Sequence, residues 1–120
     1  MADNSEFQFI YMTAPDKQTA LSIGRKLVEE RLVACVNVLD NASSLYWWQG
    51  EVQEETEAVM IAKTRDDLVP QLIETVNHVH PYDCPCVVAL PIDAGFAAYL
   101  EWIRNETRPI PPHESPGPGS

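Results

Sequence analysis

Residues 45–64 read LYWWQGEVQEETEAVMIAKT, and this stretch decides the fold. Leu45-Tyr46-Trp47-Trp48 is aromatic and strand-forming, Gln49-Gly50 supplies a turn, and Glu51 to Thr64 returns as a second strand. Side chains alternate across a strand, so Glu57, Val59, Ile61 and Lys63 share one face while Ala58, Met60 and Ala62 share the other. The unit is a long hairpin, and its flanks set the fold class.

Upstream, Phe7 to Met12 (FQFIYM) reads as a first strand. Thr13-Ala14-Pro15-Asp16 offers a capping hydroxyl, a proline suited to a first helical turn and an acid favoured at a helix N-terminus. A helix over Asp16 to Arg31 then presents Ala20, Ile23, Leu27 and Val28 on one face, weakened slightly by Gly24. Leu32 to Leu39 (LVACVNVL) is a nearly continuous apolar run that predicts a strand covered on both faces, and Asp40 to Ser44 has loop or bulge chemistry.

Downstream, Arg65-Asp66-Asp67 predicts the cap of a second helix with Leu68, Leu72, Ile73, Val76 and Val79 as its buried stripe, and Pro70 in its first turn. Pro81 and Pro85 end it, Cys86 to Ile92 (CVVALPI) predicts a strand broken near Pro91, and Asp93 is expected to cap a third helix through about Glu106. Phe96, Leu100 and Ile103 have the spacing of its apolar face.

The order predicts an α+β, ferredoxin-like βαββαβ sandwich with an extra C-terminal helix. Residues 1–6 read as a flexible N-terminus, 7–107 as the domain, and 108–120, with five prolines, as a Pro/Gly-rich disordered tail. Helices cover one face of such a sheet, and little of the 120-residue chain remains to cover the other. Oligomerisation is the economical solution, and the hairpin aromatics, hard for one chain to bury, point the same way.

Lys plus Arg total 8 against 18 Asp plus Glu, a formal charge of −10 with the basic residues scattered, so nucleic acid is excluded as a partner. Met1 to Gln8 lacks the basic and apolar regions of a signal peptide, and no apolar run reaches the length of a membrane span. Three cysteines cannot all pair internally, which predicts free thiols and a cytoplasmic setting.

Five segments then resemble the CutA divalent-cation tolerance family in order and spacing. They are Thr13–Asp16 (TAPD), Ala34–Asn37 (ACVN), Ser44–Gly50 (SLYWWQG), Glu57–Thr64 (EAVMIAKT) and His80–Pro85 (HPYDCP). The resemblance implies a homotrimer in which long hairpins pair across the interfaces, with a metal ion or small ligand lodged between subunits. It also implies a link to divalent metal ions, copper among them.

On that resemblance His80 and Cys35 are the metal-ligand candidates, and Trp48, Glu57, Lys63 and Tyr82 would line an intersubunit pocket. Chemistry alone leaves alternatives open. Neutral imidazole suits copper or zinc, but His80 can equally cap its helix, and a strand cysteine such as Cys35 commonly behaves as a small buried hydrophobe. Cys84 and Cys86 are soft donors in principle, yet two ligands do not specify a structural zinc site. Met12 stands where some relatives carry cysteine, and a strand methionine usually fills core volume. No Ser/His/Asp order, HExxH or CxxC is present, so the chain is not expected to be an enzyme. The alternative to metal binding is a PII-like trimeric signalling or scaffold protein holding a small anionic ligand, although no Gly-rich phosphate cradle exists.

Overall fold

A computed structural model describes residues 5–109. The elements are β1 (Phe7–Ala14), α1 (Lys17–Glu29), β2 (Cys35–Trp48), β3 (Glu51–Arg65), a 3-10 turn (Asp66–Leu68), α2 (Val69–Val79), β4 (Val87–Pro91) and α3 (Ala97–Glu106). They build one antiparallel sheet in the order β2-β3-β1-β4, the predicted ferredoxin-like arrangement plus a third helix. The outer half of the β2-β3 hairpin projects, and the molecule is 52 Å long but only 24 Å in its thinnest direction.

One sheet face carries the core. Ile10 and Met12 of β1 and Ala58, Met60 and Ala62 of β3 pack with Ala20, Ile23 and Leu27 of α1 and Leu72 and Val76 of α2. Those β3 residues are the set that strand alternation assigns to one face. The helical stripes are narrower than the apolar pattern predicts: Val28, Ile73 and Val79 remain exposed, because each lies off the line that meets the sheet. Gly24 is where α1 comes closest to β2, since a Cβ there would stand 3.2 Å from Val36 Cγ1. Gly24→Val overpacks this contact and is expected to cost about 2 kcal/mol, read by denaturant unfolding.

Several boundaries differ from the sequence reading. Leu32, Val33 and Ala34 are buried but precede β2 as a turn, fixed by Thr64 Oγ1 donating to the Leu32 carbonyl at 2.6 Å and Ala34 N–H donating to the Lys63 carbonyl at 2.8 Å. Of the two readings of Asp40 to Ser44, loop or bulge, the bulge is what forms: β2 continues through it with a register shift between Leu39 and Ala42, and Asn41 takes φ of 64° there. Thr13 belongs to β1, and the α1 cap is Asp16, whose carboxylate accepts from Thr19 N–H at 2.7 Å. That bond holds the Asp16 carboxyl below its ordinary range. β4 starts at Val87, one residue after Cys86. α3 starts at Ala97, so Asp93 does not cap it and Phe96 projects outward at 79% exposed.

Ser5 and Glu6, counted with the flexible N-terminus, are held. Ser5 Oγ donates to the Ile92 carbonyl at 2.6 Å, and Glu6 pairs with Arg104 at 2.7 Å. Residues 1–4, and 110–120 of the expected disordered tail, lie outside the described residues. The domain end is anchored by Arg65, 4% exposed, whose guanidinium pairs with Asp67 and donates to Thr107 Oγ1 and the Arg108 carbonyl.

Among the described residues the second sheet face is covered by helix only where α3 meets it. Leu39, Val88 and Leu90 are about half exposed on it, and Leu45, Trp47 and Val52 of the projecting hairpin are 70%, 73% and 58% exposed. α3 reaches one end of this face, where Ile103 packs on Phe7 and Ala34. Among the described residues nothing covers the rest of the face.

Candidate functional site

A pocket of about 510 Å³ opens at the outer part of this uncovered face. Tyr11 and Thr13 of β1 and Glu57 of β3 form its floor, Tyr46 and Trp48 of the hairpin one wall, and Tyr82, Cys84 and Cys86 of the segment before β4 the other. The β2 bulge contributes directly. Beyond it, Ser44 pairs with Glu55, Tyr46 with Gln53 and Trp48 with Glu51, all on the face of Glu57.

Glu57 is an acid on a strand and is only 7% exposed. Tyr82 O–H donates to Glu57 Oε2 at 2.7 Å. Burial, reinforced by this carboxylate, pushes the Tyr82 phenol well above its ordinary range, so it remains a donor at any physiological pH. Burial and then the charge of Glu57 also raise the Cys86 thiol, while the Thr13 side chain, bonded to it, works in the opposite direction.

His80 supports this arrangement from behind. Its Nδ1 accepts from Tyr82 N–H at 3.1 Å, which leaves Nε2 as the protonated nitrogen, and Nε2 donates to the Thr13 carbonyl at 2.7 Å. The ring also packs on Tyr82 with centroids 4.7 Å apart. Both nitrogens therefore have partners within one chain, and the residue is buried. Nor does it bond the last carbonyls of its own helix. It is a positioning residue, tying the Tyr82 segment to β1.

Cys35 lies elsewhere. It pairs in register with Lys63, whereas the Thr13 level reached by His80 pairs with Val59, four residues further along β3. Four strand residues correspond to about 13 Å, so one chain does not bring Cys35 and His80 together. Cys35 Sγ instead meets Tyr99 Oη at 3.6 Å. Burial and then this contact push the Tyr99 phenol up to about 12. Lys63 belongs to the same cluster, donating to Asn37 Oδ1 at 3.4 Å with its ammonium 5.9 Å from the Tyr99 ring centroid.

The six candidate residues thus fall into two groups: Trp48, Glu57 and Tyr82 at the pocket with His80 supporting them, and Cys35 with Lys63 beside α3. Sequence reasoning missed Tyr11, Thr13 and Tyr46 at the pocket and Tyr99 at the second cluster. Alternation along β1 carried a signal for the first two, since Tyr11 and Thr13 stand opposite Ile61 and Val59 on the Glu57 face. Among the described residues no group of three or more His, Cys, Asp or Glu side chains gathers to hold a metal ion within one chain.

A family model described as the CutA1 divalent ion tolerance protein matches residues 8–106. The chain belongs to the CutA1 family. The divalent-cation tolerance protein CutA of Thermus thermophilus is 44% identical over 100 residues, covering 83% of this chain and 97% of that protein. Human Protein CutA is 41% identical over 100 residues, 83% of this chain and 56% of its own length. The chain therefore spans little more than half of that CutA protein. Among solved CutA structures, that of CutA1 from Oryza sativa has a TM-score of 0.84 at 41% identity, covering 87% of this chain and 95% of the other. A CutA from Archaeoglobus fulgidus, described as periplasmic, has a TM-score of 0.81 at 38% identity, covering 83% of this chain and 97% of the other. At these identities the comparison extends to family and fold together. Among the described residues no helix is long and apolar enough to cross a membrane.

Proposed function

We propose that the protein assembles as a homotrimer that binds divalent metal ions, copper among them, at the Glu57 pocket, as part of the response to metal ions. The observation that carries the metal site is the buried carboxylate itself. Glu57 has a hydrogen bond from Tyr82, and among the described residues no Lys, Arg or His lies within ion-pair distance of it. A buried anion with spare lone pairs is costly to leave uncompensated, and a cation bound beside it removes that cost. The uncovered sheet face and projecting hairpin support the trimer, and a neighbouring copy would complete the ligand set.

This is a binding role rather than a catalytic one. His80, the residue best suited to general-base work, has both nitrogens committed. The free thiols of Cys35, Cys84 and Cys86 support a reducing, cytoplasmic setting. A small anionic ligand is the less favoured occupant: Glu57 makes the pocket acidic, and Lys63 sits in the other cluster.

Isothermal titration with Mn(II) and Cu(II) tests the reading. Glu57→Gln keeps the shape and removes the charge, and it is expected to raise Kd at least about tenfold, equivalent to about 1.4 kcal/mol. Equal affinity of wild type and variant for both ions would remove Glu57 from the site.

A further inference from the structure

The thiols of Cys84 and Cys86 are not needed by the Glu57 reading, yet both reach the same pocket. Two residues apart in sequence, they flank Pro85, whose ring fixes its φ and limits how the two side chains can diverge. Cys86 stands immediately before β4, whose first residue, Val87, pairs with Met12, so the sheet register determines where this thiol lies. Thr13 and Cys84 line the pocket alongside it. Leu45 and Trp48 supply an apolar wall beside the pair.

We infer that Cys84 and Cys86 form a two-thiolate site for a soft monovalent cation, Cu(I), at the edge of the pocket. Ligand number and softness select the ion. Thiolates favour Cu(I) over hard cations, zinc in a structural site asks for four ligands, and two-coordinate binding by a pair of sulfurs is ordinary Cu(I) chemistry. No redox step is involved: each thiol gives up its proton to solvent, two sulfur–copper bonds form, and the copper stays in the cuprous state. The surroundings disfavour other thiol chemistry. Burial and the Glu57 charge keep the unliganded Cys86 protonated, the opposite of what a nucleophilic or redox-sensing cysteine needs. A Cys84–Cys86 disulfide would have to close across a single residue, far from relaxed bridge geometry. The site uses the same pocket as the divalent-ion reading but does not depend on it, because its ligands are different atoms.

The test is an oxygen-free titration of the reduced full chain with Cu(I) against a chromophoric Cu(I) chelator, for wild type, Cys84→Ser, Cys86→Ser and Cys35→Ser. The wild type is expected to withdraw one Cu(I) per chain and to develop a thiolate-to-Cu(I) charge-transfer absorption in the ultraviolet. Cys84→Ser and Cys86→Ser should each weaken binding at least a hundredfold and abolish that absorption, while Cys35→Ser retains both. Equal withdrawal by wild type and the Cys84 and Cys86 variants overturns the assignment, as does loss of binding in Cys35→Ser alone. Mn(II) titration of the same proteins separates the two readings. Mn(II) binding by a wild type that ignores Cu(I) defeats only the thiol pair, and Cu(I) binding by a wild type that ignores Mn(II) defeats only the Glu57 site.

Discussion

Replacing Leu45 and Trp47 together by serine is expected to convert the assembly into single chains with a folded core. In one chain these side chains are 70% and 73% exposed, and neither belongs to a core cluster, so the fold of the subunit does not rest on them. Burying a large apolar side chain is worth about 1.5–3 kcal/mol, so losing both removes roughly 3–6 kcal/mol from each subunit's association. That lowers subunit affinity by more than about a hundredfold. Light scattering should report a fall from three times the 13.5 kDa chain mass to that mass, with an unchanged far-ultraviolet circular dichroism spectrum. A wild type that scatters as a single chain, or a double variant that keeps the trimer mass, counts against the proposed assembly.

The second large effect is expected at His80. His80→Ala leaves the Tyr82 N–H and the Thr13 carbonyl without their imidazole partner and opens a void beside the Tyr82 ring. Each buried polar group left unsatisfied costs about 1–3 kcal/mol, which sets the loss at about 3 kcal/mol in denaturant unfolding at fixed chain concentration. The effect on metal distinguishes positioning from ligation. With Tyr82 no longer held, Glu57 loses its fixed donor, and Kd should rise while one divalent ion per Glu57 site is still bound. Loss of the bound ion altogether, with folding intact, would make His80 a ligand.

These two residues show where the sequence was legible and where it was not. The hairpin could be read because its information is local. Period-two alternation from Glu57 to Thr64 separates the core face from the open face, and Gln49 and Gly50 both adopt positive φ, 53° and 83°, in the two-residue turn their position implies. His80 could be noticed but not understood, since its deciding contact is with Thr13, 67 residues away in the chain. The split of Glu57 from Lys63 follows from the same strand alternation. Both share a face, but six strand residues place them in different neighbourhoods, one beside Tyr82 and the other beside Tyr99. Helical spacing overestimated the buried stripes at Val28, Ile73 and Val79, because a periodic pattern does not say how wide the opposing surface is. Asp40 to Ser44 could be read as an irregular step, loop or bulge, because Asp, Asn and Ser favour local side-chain bonds over a ladder, and at the bulge that forms Asp40 Oδ1 accepts from Asn41 N–H.

That irregularity has a consequence for the chemistry of the whole outer hairpin. On its inner half β2 shows the uncovered side Cys35, Asn37 and Leu39, the odd-numbered residues; past Asn41 it shows Ser44, Tyr46 and Trp48, the even-numbered ones. One additional amino acid has inverted the parity of the strand. Had the strand run on past Leu39 without that extra residue bulging out, Leu45 and Trp47 would share the face of Glu57 in place of Tyr46 and Trp48, so one irregular step determines which aromatic surrounds the acid.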